Sequence, residues 1–477
     1  MKALLWLLIL SLAPLSLGQD DPAERLFFNA QTFMTAGKYQ EALTDLENVV
    51  KIHPRSPYAS QALLDIGRYH LEIAGDDGKA QVYFSRILKE YPGSPEAPAA
   101  YYFQAVIVDK NGNAPSELES AVADLIRMEN LFPNNNWRNG ALYLFGKLSM
   151  RLGQYDQSLT YFQRLEFNYP QSNFLPSALL LGAKVAYYNG HADQAVRTLA
   201  RLQAKFPNSL EANVAANLLR ALDRIGSGSI AYTLDRSFFA SRPKSFQNPN
   251  IIGLGWNGTV AIKDGRGVVE ANLDGTNLKR TQVKDIEGFC RDRDGRIVWV
   301  FENRLGGSGG EIRFSSLPGA SGPIREMRGA AIDGYGRLYV LDNNSRDVRS
   351  FTSDGKALKN FAISKPKLIR AFEESVWVLN SDSNAFTQID AAQQTDAFRL
   401  SGVTDIVDFC FDALGHVFVL HDRGNQISLF DRGLKLRFRQ NLKASNWPFK
   451  NAEAIGMDAA GSLYLADKKT GAVYRFH

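Results

Sequence analysis

An aromatic residue or histidine followed by proline recurs five times in the first half of the chain: His53-Pro54, Tyr91-Pro92, Phe132-Pro133, Tyr169-Pro170 and Phe206-Pro207, with the prolines 38, 41, 37 and 37 residues apart. A period of that length is one supersecondary unit repeated, and a proline after an amphipathic run stops a helix. In repeats one, four and five the run is broken at Gly37-Lys38-Tyr39, Gly153-Gln154-Tyr155 and Gly190-His191-Ala192, where a left-handed glycine would end the first helix of a pair. The pattern predicts five helical hairpins over about residues 22 to 208, with insertions in repeats two and three. Leu210 to Ile225 reads as one more amphipathic helix that caps the open end.

Gly226-Ser227-Gly228-Ser229 then interrupts the helical pattern, and the apolar period switches to two. Six short strands follow turn residues: Gly258-Thr-Val-Ala-Ile, Gly295-Arg-Ile-Val-Trp-Val, Gly336-Arg-Leu-Tyr-Val-Leu, Ser375-Val-Trp-Val-Leu, Gly415-His-Val-Phe-Val-Leu and Gly461-Ser-Leu-Tyr-Leu-Ala. With Glu374 in the turn slot of the fourth, the spacings of 37 to 46 residues leave room for one four-stranded blade each. The expected fold class is therefore multidomain, an all-α solenoid followed by an all-β six-bladed propeller. Its divisions are residues 1–18 as a signal peptide, 19–225 as the solenoid, 226–228 as a linker and 229–477 as the propeller. Blade six lacks an outer strand after Ala472 to Phe476, so Ser229 to Leu234 is expected to return and close the ring.

The helical repeats resemble the tetratricopeptide repeat. Counted back from Pro170, its small and large slots fall on Leu142, Phe145, Gly146, Tyr155, Ser158, Phe162 and Leu165; from Pro207 they fall on Leu179, Gly182, Ala183, Ala195, Leu199 and Leu202. Small residues stand where two helices cross closely and large ones where the next hairpin packs. The joints Tyr91 to Ser94, Tyr169 to Ser172 and Phe206 to Ser209 look like those of Gram-negative periplasmic and outer-membrane assembly proteins. The third blade resembles the NHL repeat, with Asp333 three before the turn glycine and Phe351 ending the next strand. These resemblances imply a groove that holds peptides and a propeller that serves as a binding platform.

At the N-terminus Lys2 precedes an apolar run from Ala3 to Leu12, and Ser16 and Gly18 stand at signal-peptidase spacing before Gln19. The run is too short to cross a bilayer, no later one replaces it, and no cysteine near the cleavage point offers a lipid anchor. An exported, periplasmic protein is expected, with secretion as the alternative. A net charge of +5 over 477 residues gives only a weak field, so nucleic acid is not an expected partner.

Asp292, Asp333, Asp412 and Asp458 each precede the turn position by three. A residue recurring once per blade is read as capping its own turn. Cys290 and Cys410 share one small slot in blades on opposite sides of the ring and are expected as buried free thiols. His416 and His421 are five apart and point to opposite strand faces, so neither a metal site nor a cofactor is expected. Arg291 and Arg370 occupy a slot that is apolar in the other blades; each is either paired inside the blade or available to an anion in the axial channel. Trp256, Trp299 and Trp377 could stack on a sugar, although the latter two sit in strand centres and read as core.

In the resembled repeats the first helix of each hairpin lines the groove. That places Tyr143, Lys147, Arg151, Lys184, Tyr187 and Tyr188 on the inner face of repeats four and five, where rings and cations alternate. The function expected is a non-catalytic adaptor that binds a protein or peptide in the cell envelope, with weak association to outer-membrane machinery. The alternatives are a propeller enzyme of lyase or lactonase type acting in the axial channel, and a glycan or cell-wall binder.

Overall fold

The structure is a computed structural model that describes residues 21–111, 115–226, 232–255, 258–283, 285–291, 296–307, 310–312, 322–334, 336–352, 355–390, 393–443 and 447–477. The signal segment, Trp256, Asp292 and Gly295 lie outside the described residues. Among the described residues eleven α-helices come first: α1 (Pro22–Thr35), α2 (Tyr39–Ile52), α3 (Tyr58–Arg68), α4 (Asp77–Glu90), α5 (Ala97–Asn111), α6 (Pro115–Leu131), α7 (Arg138–Arg151), α8 (Tyr155–Asn168), α9 (Leu175–Tyr188), α10 (Ala192–Lys205) and α11 (Leu210–Gly226). They form a tetratricopeptide-like array, and six four-stranded antiparallel sheets follow.

The proline joints work as local caps. The Ser172 and Ser209 amides donate to the carbonyls of Tyr169 and Phe206, while the serine hydroxyls accept from the Phe174 and Ala212 amides at 3.2 and 3.1 Å. One serine thus closes the turn and satisfies the exposed amides of the following helix. Gly37, Gly153 and Gly190 all have positive φ, from 70 to 85°, which a side chain would resist.

The chain divides into two compact units, Met1–Val108 with Ala121–Ala141, and Asp109–Ser120 with Leu142–His477. The division falls inside the helical array.

In the first unit, hairpin crossings require small residues. A Cβ on Gly67 would stand 2.5 Å from the Phe84 ring and one on Gly140 2.7 Å from Tyr102. Around them Phe84 stacks on Phe103, and Trp137 packs against both Tyr102 and Phe103 at 4.9 Å. The insertion in repeat two takes the form of a π-helical segment, Tyr69–Ala74, that extends α3 and ends at left-handed Gly75. A wider turn absorbs extra length without ending the helix. Within α3, Asp65 is buried and accepts from the Gln31 amide of α1 at 2.5 Å. Burial pushes its carboxyl up to about 6, despite the lowering by Gln31 and Arg68.

In the second unit, Leu175, Leu179, Leu199, Leu202, Leu218 and Leu222 make the core of α9, α10 and α11. The innermost strands of the six blades begin at Ile251, Ile286, Met327, Pro366, Asp408 and Ala452. Each lies beside that of the next blade, and the first lies beside the sixth. Leu234–Asp235 pairs antiparallel with the last strand, Ala472–Phe476, and Thr233 and His477 exchange backbone hydrogen bonds. The ring therefore closes by a returning strand, as expected; among the described residues the closing pairs run over Thr233 to Asp235, and Ser229 to Ala231 lie outside the described residues. The Arg475 guanidinium secures the seam by donating from Nε to Asp235 at 2.9 Å.

The recurring aspartates cap their turns. Asp333, Asp412 and Asp458 each accept from the amide four residues on, at 2.8 to 2.9 Å. Blade four differs, because Phe372 pairs directly with Ser375. The two-residue turn places the left-handed conformation on Glu373, with φ of 49°, and not on Glu374. Cys290 and Cys410 form no disulfide; Cys410 is buried, which pushes its thiol up, whereas Cys290 is only half-buried. Trp377 is buried among Phe386, Phe398 and Phe411.

Candidate functional site

The six groove residues stand on α7 and α9, and each has a partner within the chain. On α7, Tyr143 stacks on Phe174 with ring centroids 5.2 Å apart. Lys147 pairs with Asp109 at 2.6 Å, and Arg151 donates to the Asp109 carbonyl at 2.9 Å with its Nε 3.8 Å from Glu374. On α9 the three residues meet the propeller. Lys184 pairs with Glu373 at 2.6 Å, and the Tyr188 hydroxyl donates to the same oxygen at 3.0 Å. Burial pushes the Glu373 carboxyl up, but Lys184, Arg432 and Tyr188 more than reverse this and hold it below its ordinary value. Strained backbone at Glu373 thus carries the side chain that hooks α9.

Beside this hook runs a buried chain of three groups. His416 Nδ1 lies 2.6 Å from the Asp412 carboxylate, and its Nε2 lies 2.7 Å from the Tyr187 hydroxyl. Since the carboxylate accepts from Nδ1–H, a neutral ring presents Nε2 as the acceptor for tyrosine. Burial, with the Asp412 charge adding to it, pushes the Tyr187 hydroxyl up to about 12, so tyrosine stays the donor. Leu414, in the same blade-five turn, is 1% exposed and joins the α9–α11 core. From α11, Arg224 donates to the Gly461 carbonyl in the blade-six turn. The inner face of repeats four and five is therefore packed against the turns of blades four and five, and α11 reaches blade six.

Arg370 is paired: its Nη2 is 2.6 Å from buried Asp408, whose other oxygen accepts from the Ile455 amide at 3.1 Å. One carboxylate so ties blades four, five and six. Arg291 is half-buried opposite Ile297. His421 bonds Ser428 at 2.8 Å, away from His416, and burial lowers it to about 4. Among the described residues no group of three or more His, Cys, Asp or Glu side chains converges as metal ligands would, and no helix is long and apolar enough to cross a membrane.

Sequence reasoning singled out the three α9 residues but missed what they touch. Glu373 and Leu414 depart from the blade pattern, whereas His416 stands in a slot that is polar in every blade. Glu373-Glu374 replaces the Asp-x-x-Gly turn, and Leu414 is a large apolar residue in a turn that is otherwise small or polar. That departure was the available signal.

Residues 19–139 match the family model of an outer membrane lipoprotein, YfiO, and residues 140–172 and 177–209 match that of the tetratricopeptide repeat. The outer membrane protein assembly factor BamD of Caulobacter vibrioides is 27% identical over 128 residues, covering 26% of this chain and 41% of that protein. The chain thus spans well under half the length of that relative. Among solved structures, a virginiamycin B lyase from Staphylococcus aureus overlays with a TM-score of 0.37 at 16% identity, over 51% of this chain and 88% of that one. YrrB, a TPR protein with an unusual peptide-binding site, overlays with a TM-score of 0.33 at 17% identity, over 40% of this chain and 91% of that one.

Proposed function

We propose that this chain is an exported, non-catalytic adaptor of the periplasm, whose first three repeats take a protein or peptide partner while repeats four and five hold its own propeller. The observation that carries this reading is the match of residues 19–139 to the outer membrane lipoprotein model, which falls on the repeats outside the propeller junction. The relative's role in outer-membrane protein assembly supports an envelope partner of that machinery. Occupation of the α9 face by Glu373 and His416 supports placing the partner on α1, α3 and α5. In this reading Lys184, Tyr187 and Tyr188 serve the propeller. The likeness of blade three to the NHL repeat remains part of the same reading, with the propeller as a platform for a second contact.

Site-specific photo-cross-linking in intact envelopes tests it. A cross-linking residue at exposed Gln61 or Glu72 on the α3 segment should yield an adduct with an envelope protein, and one at exposed Arg197 on α10 should not. Adducts at Arg197 alone would move the partner to the other end of the array. Fractionation of the protein with the cytosol would end the envelope reading.

A further inference from the structure

Beside the junction in the second unit lies a cleft of about 340 Å³ lined by the end of α7, the start of α8, α9 and the turns of blades four and five. That volume is within the usual range for small-molecule sites. Its lining mixes charge with aromatic surface: Arg151, Glu373, Glu374, Asp390 and Arg432 together with Phe372, Trp377 and Phe411.

Most of these charges are already engaged. Glu373 serves Lys184 and Tyr188, and Arg151 lies between Asp109 and Glu374. Asp390 also interacts within the chain. Arg432 is different. Its guanidinium carbon sits 3.6 Å from the centroid of the Tyr188 ring, and its charge acts on Glu373 through space, but its N–H groups form no hydrogen bond or close ion pair with any described residue. Stacking fixes the plane of a guanidinium while leaving its N–H edge free, and that edge matches a carboxylate bidentately. The neighbouring Gly415 keeps the position open, since a Cβ there would come within 2.6 Å of Phe372 and 3.1 Å of the Arg432 Nη1.

We propose that this cleft binds a monocarboxylate with an aromatic or apolar body, its carboxylate on Arg432 and its body against Phe372, Trp377 and Phe411. The single charge follows from the surroundings. Three carboxylates and two arginines line the same cleft, so repulsion grows with each negative charge on a ligand and one charge, set against Arg432, is tolerated better than two. The aromatic wall selects for an apolar body over acetate-sized acids. This site stands whether or not the first three repeats bind an envelope partner.

The test is titration calorimetry of the full chain with phenylacetate, its uncharged analogue phenylacetamide, and inorganic phosphate. Phenylacetate should bind saturably and at least about tenfold more tightly than either comparator, as loss of one charge-assisted bidentate contact requires. Arg432→Gln should lose that selectivity, and Arg432→Lys should retain part of it, because an ammonium keeps the charge without the fork. Arg423→Gln, at an exposed position in the same blade, should bind as the parent does. Equal binding of the amide, equal binding of phosphate, or no saturable binding by the parent chain would each overturn the proposal. So would full phenylacetate affinity in a folded Arg432→Gln protein.

Discussion

Leu414→Ala is the sharpest probe of the junction, because this one side chain belongs to a propeller turn by sequence and to a helical core by packing. Its backbone role survives the change, since the Leu414 amide still donates to Asp412 at 2.9 Å. What is lost is three carbons from a site 1% exposed to solvent. At about 0.8 kcal/mol per buried CH₂, transfer accounts for roughly 2.5 kcal/mol. Leu175, Leu179 and the facing helices cannot fully collapse into the gap, so the total should reach about 3–4 kcal/mol. A chain of two compact units need not unfold in one step, so a single melting midpoint is the wrong readout. Native-state hydrogen exchange resolves the matter segment by segment. Protection of α9–α11 and of blade five should fall together by that amount, while α1–α4 keep their parental rates. Leu436→Ala, at a site 38% exposed, should change either by less than about 0.5 kcal/mol. A loss below about 1 kcal/mol for Leu414→Ala, or one confined to blade five, would refute the packing argument.

Asp65 makes the first unit pH-dependent. Its folded pKa of about 6 lies above the unfolded value, so the protonated form is the one that folding favours; stability from this group is present at pH 4 and lost as pH rises through 6. The difference in denaturation midpoint between Asp65→Asn and the parent should therefore open in favour of the variant between pH 4 and pH 6, and a constant difference would contradict this. Glu373 has the opposite sign: its folded value is depressed, so its stabilisation is present above the unfolded carboxyl pKa and is lost as pH falls through the lower folded one. Exchange protection of α9 should drop in that acid range in the parent and not in Glu373→Gln, whose protection is already reduced at pH 7. Thr233→Pro removes the amide that donates to His477 and should destabilise all six blades rather than blade six alone; exchange that quickens only in blade six would show that the ring does not depend on its closure.

Repetition explains which parts of the molecule could be read in advance. Five prolines and six turn residues recur because each repeat solves the same packing problem, and a solution used several times is visible in one sequence. The missing strand of blade six was legible for the same reason, as a gap in a series. Its register was not, because a pairing of two residues leaves no periodic trace. The contacts of Lys184, Tyr187 and Tyr188 were hidden for a different reason. Their partners lie 185 to 229 residues away, and nothing local in α9 says whether its inner face meets solvent, a partner or the chain's own turns. Arg370 shows the limit from the other side. Its polarity in an apolar slot was noticed, but only the ring geometry brings Asp408 beside it.

Ring closure also sets an order of events for synthesis. Leu234–Asp235 leaves the ribosome more than two hundred residues before Phe476 and Arg475, to which it must pair. For that whole interval the growing propeller is an open stack with unpaired strand edges at both ends, the state most exposed to intermolecular pairing. The helices made before it cannot complete their junction either, because Glu373, Leu414 and His416 emerge late. A nascent chain of this kind therefore stays unfinished until its last strand is free, and its open edges persist through the synthesis of the whole propeller, about half of the chain.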